Sequence, residues 1–254
     1  MEPTVLSRLD FDVLWENERF PRRHVALNVP SPGETHTERA RLVQETWRSL
    51  ERRGLAERGR ATPSVSDDLA LLAYPRRAVY GFIWVPDRKI SLLAASNGGS
   101  AVMGVVDGDE MWLIKSRDES IADSAVSVAG DMRPGPGQSV SLPTALLTGA
   151  DARAKGDPQR LVLELSDENV PLGQAQALVG MLAGMTTRGQ FGVETAQGAE
   201  RPRRASRVVA FHDTPNGRYL HLVKPSADRT EWSTITPADN RLLATSVREL
   251  LDEA

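Results

Sequence analysis

The sequence predicts an α+β fold: a twisted, mainly antiparallel central sheet built from two pseudo-twofold halves, with helices packed on it. Short apolar runs are joined by turns such as Asn97-Gly98 and Asp107-Gly108, which are too short for parallel crossovers. Other segments repeat apolar residues at helical spacing. Because helices precede hairpin-rich strands twice along the chain, we expect one domain, 1–254, with halves of about 1–137 and 138–254.

Composition narrows the class of protein. A chain of 254 residues can bury a sizeable core, and 40% apolar and 26% charged residues are ordinary for a soluble globular protein. The net charge of −3 gives no overall field that favours nucleic acid. The absence of cysteine excludes disulfides, cysteine zinc sites and thiol nucleophiles. With no secretory signal pattern and no membrane-length apolar run, we expect a cytoplasmic protein without membrane insertion.

The first half begins with helices predicted from capping residues and apolar spacing. Thr35 and Glu38 fit a capping box at the start of a long helix, and Gly54 is suited to end that helix. In chain order we predict a strand at Val5–Leu9, a helix capped by Asp10, a strand or extended segment at Val25–Val29, a helix at Thr35–Arg53 and a helix from Pro63 through Leu72.

After Pro75 the pattern changes to strands that alternate with short turns. These turns predict an antiparallel meander. Its strands are expected at Ala78–Val85, Lys89–Ser96, Ala101–Val106 and Met111–Lys115, and Ile121–Ala129 reads as either a strand or a short helix.

The second half opens with a linker at 130–137, which is rich in glycine and proline. Helices and one strand are predicted after it. In order they are a sheet extension at Ser139–Leu142, a helical turn at Pro143–Leu147, a small, polar and mobile segment at Gly149–Gly156, a helix from Asp157, a helix at Pro171–Met185, a strand at Gln190–Ala196 and an arginine-rich loop at Gly198–Ala205.

The last part of the chain predicts a three-stranded unit followed by a helix. Asn216-Gly217 suits a tight hairpin turn, and Thr236 with Pro237 suits a helix start. The strands are expected at Val208–Phe211, Tyr219–Val223 and Trp232–Ile235. We interpret the hairpin around Asn216-Gly217 as the counterpart of the hairpin around Asp107-Gly108 in the first half.

No motif predicts catalysis. The G-x-S-x-G elbow, the phosphate-binding glycine loop and the H-E-x-x-H zinc motif are all absent. His212, His221 and Asp213 could in principle hold a metal, but ordinary cross-strand polar pairing is favoured. We therefore predict no catalytic residue, no metal and no cofactor. A hydrolase with an unrecognised Ser/His/Asp site stays open as an alternative.

One basic cluster could contact phosphates. It contains Arg201, Arg203, Arg204 and Arg207. The negative net charge and the lack of interleaved aromatic residues favour a solvated loop instead. A nucleic-acid-binding module that uses the Arg201–Arg207 loop is the second alternative.

Five segments resemble a known family when their order and spacing are taken together. They are LDFDVLWE at Leu9–Glu16, VPSPGETHTERARLV at Val29–Val43, RGQFGVE at Arg188–Glu194, DTPNGRYL at Asp213–Leu220, and Trp232 with the ITPADNRLL segment. The chain resembles the EspG family, the ESX (type VII) secretion-associated chaperones of mycobacteria and related actinobacteria.

The resemblance implies a protein that is not an enzyme. Family members are cytosolic and bind PE–PPE heterodimers or comparable substrates before export, and they cover an aggregation-prone apolar tip of the PPE helical bundle. Their binding surface involves the central sheet and the C-terminal helical region. From the net charge and the composition we predict no nucleic-acid partner, and a homo-oligomer stays open.

On this basis we expect the client site on the exposed face of Gln190–Glu194 and on the helix from Leu172, joined by the Asn97–Ser100 loop. A surface of modest apolar content could shield an exposed helix tip. The alternative is that Phe191, Val193, Leu178 and Leu182 are simply core. The candidate residues are Asn97, Gly98, Leu172, Gln176, Val179, Gln190, Phe191, Val193 and Glu194.

Overall fold

The computed structural model describes residues 2–196 and 202–254. The strands are β1 Thr4–Ser7, β2 Ala56–Glu57, β3 Arg60–Ala61, β4 Arg77–Val85, β5 Arg88–Ser96, β6 Ala101–Asp107, β7 Glu110–Ser116, β8 Val140–Pro143, β9 Thr187–Thr195, β10 Arg203–Arg204, β11 Val209–Thr214, β12 Gly217–Pro225 and β13 Glu231–Pro237. The α-helices are α1 Arg8–Asn17, α2 His36–Arg52, α3 Pro63–Ala73, α4 Ile121–Ser127, α5 Thr144–Ala154, α6 Pro158–Asp167, α7 Leu172–Leu182 and α8 Asn240–Glu253.

One large antiparallel sheet organises the chain. Its strand order is β1-β7-β6-β5-β4-β9-β11-β12-β13-β8, with β10 pairing beside β9, and β2 and β3 form a separate small hairpin. From the central β4–β9 pair outward, each half forms a meander, β4 to β7 in the first half and β9, β11, β12 and β13 in the second. The first strand of each half, β1 or β8, pairs at the outer edge of its meander. Within the described residues, each half also has three α-helices after that first strand and one more after its meander. The predicted α+β fold class is confirmed.

The helices cover the two faces of the sheet in different places. We call the face that carries Phe82 and Trp84 the front face and the opposite one the back face, since neighbouring residues of a strand alternate between faces. On the back face, α4 and α8 pack over the centre, against residues such as Phe191 and Val193. On the front face, α1 to α3 cover the outer part of the first half and α5 to α7 cover the outer part of the second. The middle of the front face therefore lies between two groups of helices.

Arg218 ties the predicted linker to the second half. Its guanidinium is fully buried and pairs with Asp213 through contacts of 2.7 and 2.9 Å. It also donates to the carbonyl oxygens of Ala129 at 2.9 Å and Gly130 at 3.2 Å, and stacks 4.6 Å from the ring centroid of Phe211. A buried arginine with this set of partners keeps its charge compensated. The link between the halves is consequently anchored to the β11–β12 hairpin.

The meander from β4 to β7 and the three strands of the last unit are confirmed, but other element predictions are wrong. The segment at Val25–Val29 contains a 3₁₀ turn at Val25–Leu27, because His24 Nδ1 accepts from the Ala26 N–H at 3.1 Å and holds a tight turn. The segment 149–156, expected to be mobile, mostly belongs to α5. Ala150 and Ala154 of that helix are buried in the second-half core, so packing overrides the low helix propensity of Gly149.

Two helix starts lie elsewhere than predicted. Ser7, and not Asp10, caps α1: its Oγ accepts from the Asp10 N–H at 3.0 Å while the Asp10 carboxylate accepts from the Ser7 N–H at 2.9 Å. Helix α8 is capped by Asp239, whose side chain accepts from the Leu242 N–H at 2.8 Å. Thr236 and Pro237, which were expected to start that helix, are the last residues of β13.

The interpretation of the two hairpins as counterparts is wrong by one strand. From the centre outward, β5 and β6 occupy the positions of β11 and β12. The hairpin around Asn216-Gly217 therefore corresponds to the turn at Asn97-Gly98, and the turn at Asp107-Gly108 corresponds to the loop between β12 and β13. Similar turn residues reflect similar local geometry and carry no information on position in the sheet.

Replacing Arg218 tests its role in holding the linker. Arg218→Met leaves the Asp213 carboxylate buried without its partner, so we expect the free energy of unfolding to fall by about 3–5 kcal/mol. Urea denaturation measures this loss. Arg241→Met, on the exposed first turn of α8, is the matched control and should change stability by no more than about 0.5 kcal/mol. Equal effects in the two variants would contradict the account.

Candidate protein-binding surface

The open middle of the front face holds a cross-strand row of side chains. Phe82 of β4 lies opposite Gln190 of β9, Gln190 lies opposite Ala210 of β11, and Ala210 lies opposite His221 of β12. Ile235 of β13 follows His221. Four of the five are half-buried, and Ile235 is buried. Five strands at about 4.8 Å spacing give a row about 19 Å long.

The row leads into a cavity of about 480 Å³ between the second-half helices and the sheet. Most of its lining is aliphatic, which makes it suited to apolar side chains. Helix α7 and the segment after it supply Val179, Leu182 and Met185, and the strands supply His221, Val223 and Ile235. Met185 is 46% exposed, so apolar surface is accessible at the wall of the cavity.

Aromatic residues form the other end of this surface. Tyr80, Phe82 and Trp84 alternate along β4 and therefore share the front face, with ring centroids 6.3 and 6.1 Å apart. Lys89 Nζ lies 4.6 Å from the centroid of Phe82, and Arg188 Cζ lies 5.5 Å from that of Trp84. We call the surface formed by Phe82, Trp84, Lys89, Arg188, Gln190 and Ala210 the central groove. It offers aromatic and cationic groups together.

Glu194 closes the groove at the Tyr80 end. Its Oε1 accepts from His24 Nε2–H at 3.2 Å and from Arg204 Nε–H at 2.7 Å, and Arg204 Cζ stacks 4.9 Å from the ring centroid of Tyr80. Although burial raises the pKa of Glu194, the hydrogen bonds from His24 and Arg204 and the charge of Arg204 outweigh it and hold this pKa below its ordinary value. Glu194 is thus committed to partners inside the protein.

The predicted site on Gln190–Glu194 is only partly exposed. Gln190 lies in the central groove and is half-buried, and its role as a contact residue stays a prediction. Phe191 and Val193 point to the back face and are 0% exposed, so the expectation that they meet a partner is corrected to a core role. Glu194 is on the front face but is covered by His24 and Arg204. The alternation of a central strand explains the split.

The remaining candidates occupy three places. Val179 lines the cavity and is 9% exposed, whereas Leu172 is 56% exposed and Gln176 is exposed one turn after it on the outer side of α7. Asn97 and Gly98 form the β5–β6 turn, where Asn97 Oδ1 accepts from the N–H groups of Gly99 and Ser100. Asn97 is six residues from Ser91, the cross-strand partner of Phe82, or about 20 Å along β5, so the structure does not bring it to the central groove.

The sequence did not single out the groove aromatics or the cavity residues. Tyr80, Phe82 and Trp84 alternate with the equally apolar Val79 and Ile83, so periodicity predicts a strand without saying which face is open. Met185 and His221 lie far apart in the chain and meet only through the order of the strands. One sequence signal for the groove was available: Phe82 and Trp84 are two residues apart, so they share a face of the strand, and Lys89 follows shortly after them.

Described residues of the two alternative sites, the basic cluster and the group of His212, His221 and Asp213, make contacts within the protein. Arg204 pairs with Glu194 at 2.6 Å and Arg207 pairs with Glu253 at 2.5 Å, so part of the basic cluster is neutralised. Arg201 lies outside the described residues. His212 Nε2–H donates to the Met181 carbonyl at 2.9 Å. Among residues 2–196 and 202–254, no group of three His, Asp or Glu side chains is placed to hold a metal ion.

Burial controls the charge of the two histidines beside the cavity. Desolvation lowers the pKa of His212, against the raising effects of the Met181 hydrogen bond and of Asp213. Desolvation also lowers the pKa of His221, and the charge of His212 lowers it further. Between these lowered values and the ordinary pKa of about 6.5, the unfolded chain binds more protons than the folded chain. Stability from the neutral histidines is complete above that ordinary pKa and is lost as pH falls below it.

Acidification therefore tests this environment. We expect the free energy of unfolding to decrease between pH 7.5 and pH 5.5, measured by urea denaturation at each pH. His221→Gln removes one of the responsible groups, so its decrease should be smaller than that of the wild type. His36→Gln changes an exposed residue at the start of α2 and should keep the full decrease. The same decrease in His221→Gln and the wild type would rule out the explanation.

Comparison with known proteins places the chain in a family. No helix of the described residues combines the length and apolar character needed to cross a membrane. No curated protein matches the sequence. The fold is similar to that of the Mycobacterium tuberculosis type VII secretion system chaperone EspG5, solved in complex with a PE25–PPE41 dimer, with a TM-score of 0.75 and 16% identity over 99% of this chain and 96% of that chain. The sequence model of the EspG family matches residues 7–249, and the chain belongs to the EspG family.

Proposed function

We propose that the protein is a non-enzymatic, cytosolic chaperone of a type VII (ESX) secretion system. It binds PE–PPE-type heterodimers, shields their aggregation-prone apolar tip and keeps them competent for export. The observation that carries the proposal is the continuous row from Phe82 to Ile235, which joins an accessible aromatic groove to an apolar cavity of about 480 Å³. Family membership and the PE25–PPE41 complex of EspG5 support the choice of client.

The cavity supplies the shielding. An apolar helix tip in water favours aggregation, and moving its side chains into an aliphatic recess contributes about 25 cal/mol per Å² of apolar surface removed from water. Met185 and Val223 form walls that such side chains can reach. The central groove then accommodates the flank of the tip along its strands.

Release of the client sets a second requirement. A chaperone must give up its client at the secretion machine, so a moderate interface is favoured over a large obligate one. An open groove with a single cavity satisfies this, because most of the client bundle stays outside. We assign Leu172 and Gln176, which are exposed on α7 but do not line the cavity, to the rim of the contact with the client. Asn97 and Gly98 are left out because of their distance from the groove.

Co-expression with PE–PPE-type pairs from the same genome tests the proposal. We expect one pair to co-purify with the tagged protein at one-to-one stoichiometry and to stay soluble only with it. The chaperone function would be refuted if none of the encoded pairs co-purifies.

Substitutions at exposed apolar residues locate the site. Met185→Asp places a charge at the cavity wall, so we expect co-purification to fall at least about tenfold, corresponding to about 1.4 kcal/mol. Leu172→Asp, at the rim, should have a smaller effect. Leu163→Asp is the matched control, since Leu163 is 63% exposed on α6 and does not line the cavity. Pull-down yield at fixed client concentration is the measurement, and loss of binding in Leu163→Asp alone would place the site elsewhere.

A further inference from the structure

The two cations of the central groove lie on either side of one tryptophan. Lys89 of β5 is opposite Trp84 of β4 on one side, and Arg188 of β9 is opposite Trp84 on the other. Cross-strand neighbours on one face have Cβ atoms about 5 Å apart, so both charges belong to one local patch. Both side chains are exposed, and Trp84 is half-buried between them.

Within the described residues, neither cation has a carboxylate partner. No Asp or Glu oxygen of residues 2–196 or 202–254 lies within ion-pair distance of Lys89 Nζ or of the Arg188 guanidinium. Arg88, beside Lys89, is already paired with Asp107 at 3.3 Å. Asp87, in the β4–β5 turn, does not reach either cation. In a chain with a net charge of −3, this is a local excess of positive charge.

The aromatic rings limit what can complete the patch. Phe82 and Trp84 offer their faces to the two cations, which makes the site partly apolar. A ligand group must therefore carry negative charge and also tolerate contact with ring edges and aliphatic stems. A carboxylate next to apolar side chains meets both conditions, and Arg188 can hold it through two parallel hydrogen bonds.

We propose that Lys89 and Arg188 are specificity determinants that select clients with a carboxylate beside the apolar tip. The inference rests on the proposed function and adds the chemistry of the segment that flanks the tip. The apolar cavity holds the tip, and the cations fix its orientation and speed its capture. Charged groups at an interface act on association rate and on discrimination between partners more than on affinity. Clients without an acidic flank are captured slowly.

Association kinetics at two salt concentrations test the inference. The probe is the PE–PPE-type pair that co-purifies with the wild type, immobilised for interferometry. At about 0.01 M salt, where the screening length is about 30 Å, we expect Lys89→Glu/Arg188→Glu to associate at least about tenfold more slowly than the wild type. At about 0.15 M salt, where the screening length is about 8 Å, the difference should shrink. The association rate of Arg188→Gln should lie between those of the wild type and the double variant.

Matched controls separate the inference from the proposed function. Arg241→Glu and Lys224→Glu together change the net charge equally. Arg241 lies on α8 over the back face, and Lys224, opposite Trp232, belongs to the same face, so wild-type association is expected. Met185→Asp should weaken binding at both salt concentrations. Wild-type rates and salt dependence in the groove double variant would overturn the charge selection while leaving the chaperone function intact. If no pair binds the wild type, the chaperone function fails and this inference falls with it.

The client side gives a complementary result. Replacing the acidic residues that flank the tip of the bound pair by lysine should slow association with the wild type and restore it with Lys89→Glu/Arg188→Glu. Slowing of both combinations alike would contradict direct pairing, because exchanged charges should recover the attraction.

Discussion

The pairing of β4 with β9 is the constraint on which the rest of the structure depends. Eight residue pairs, from Arg77–Thr195 to Trp84–Arg188, join the inner strands of the two halves into one sheet. Both strands are paired on both edges, and their side chains point alternately to the front and the back face of the sheet. One face of this pair must be covered by α4 and α8, which supply much of the core. The other is left to the helices at the ends of the sheet, and they do not reach its middle.

The central groove exists because the helices cover different parts of the two faces of the sheet. Helices α1 to α3 and α5 to α7 each pack on the outer strands of their own half, so Phe82, Trp84 and Gln190 remain accessible between them. The cavity arises where α7 ends and the chain returns to the sheet before β9, leaving Met185 beside His221 and Val223. The surface that we propose for client binding thus follows from the packing of these helices on the sheet. The buried Arg218–Asp213 pair anchors the connection between the halves from the opposite face.

Sequence reasoning succeeded where structure is local. Asn97-Gly98, Asp107-Gly108 and Asn216-Gly217 demand tight turns, so the hairpins around them could be predicted. Non-local features could not: α5 forms despite Gly149 because its alanines pack into a core made by distant strands. Of the predicted contact residues, Gln190 lies in the central groove and Val179 lines the cavity, and their role in binding stays a prediction. Phe191 and Val193 were misplaced because an apolar central strand shows the same composition on both faces.

We propose that clients bind the front face of the sheet through the central groove and the cavity. Two tryptophans on opposite faces of the sheet allow a direct test of this binding site. Trp84 is half-buried in the central groove, whereas Trp232 is 39% exposed on the back face. A photo-crosslinking amino acid placed at each position in turn would report contact with the bound PE–PPE-type pair. The account predicts a strong crosslink from position 84 and none from position 232. A crosslink from position 232 without one from position 84 would contradict it.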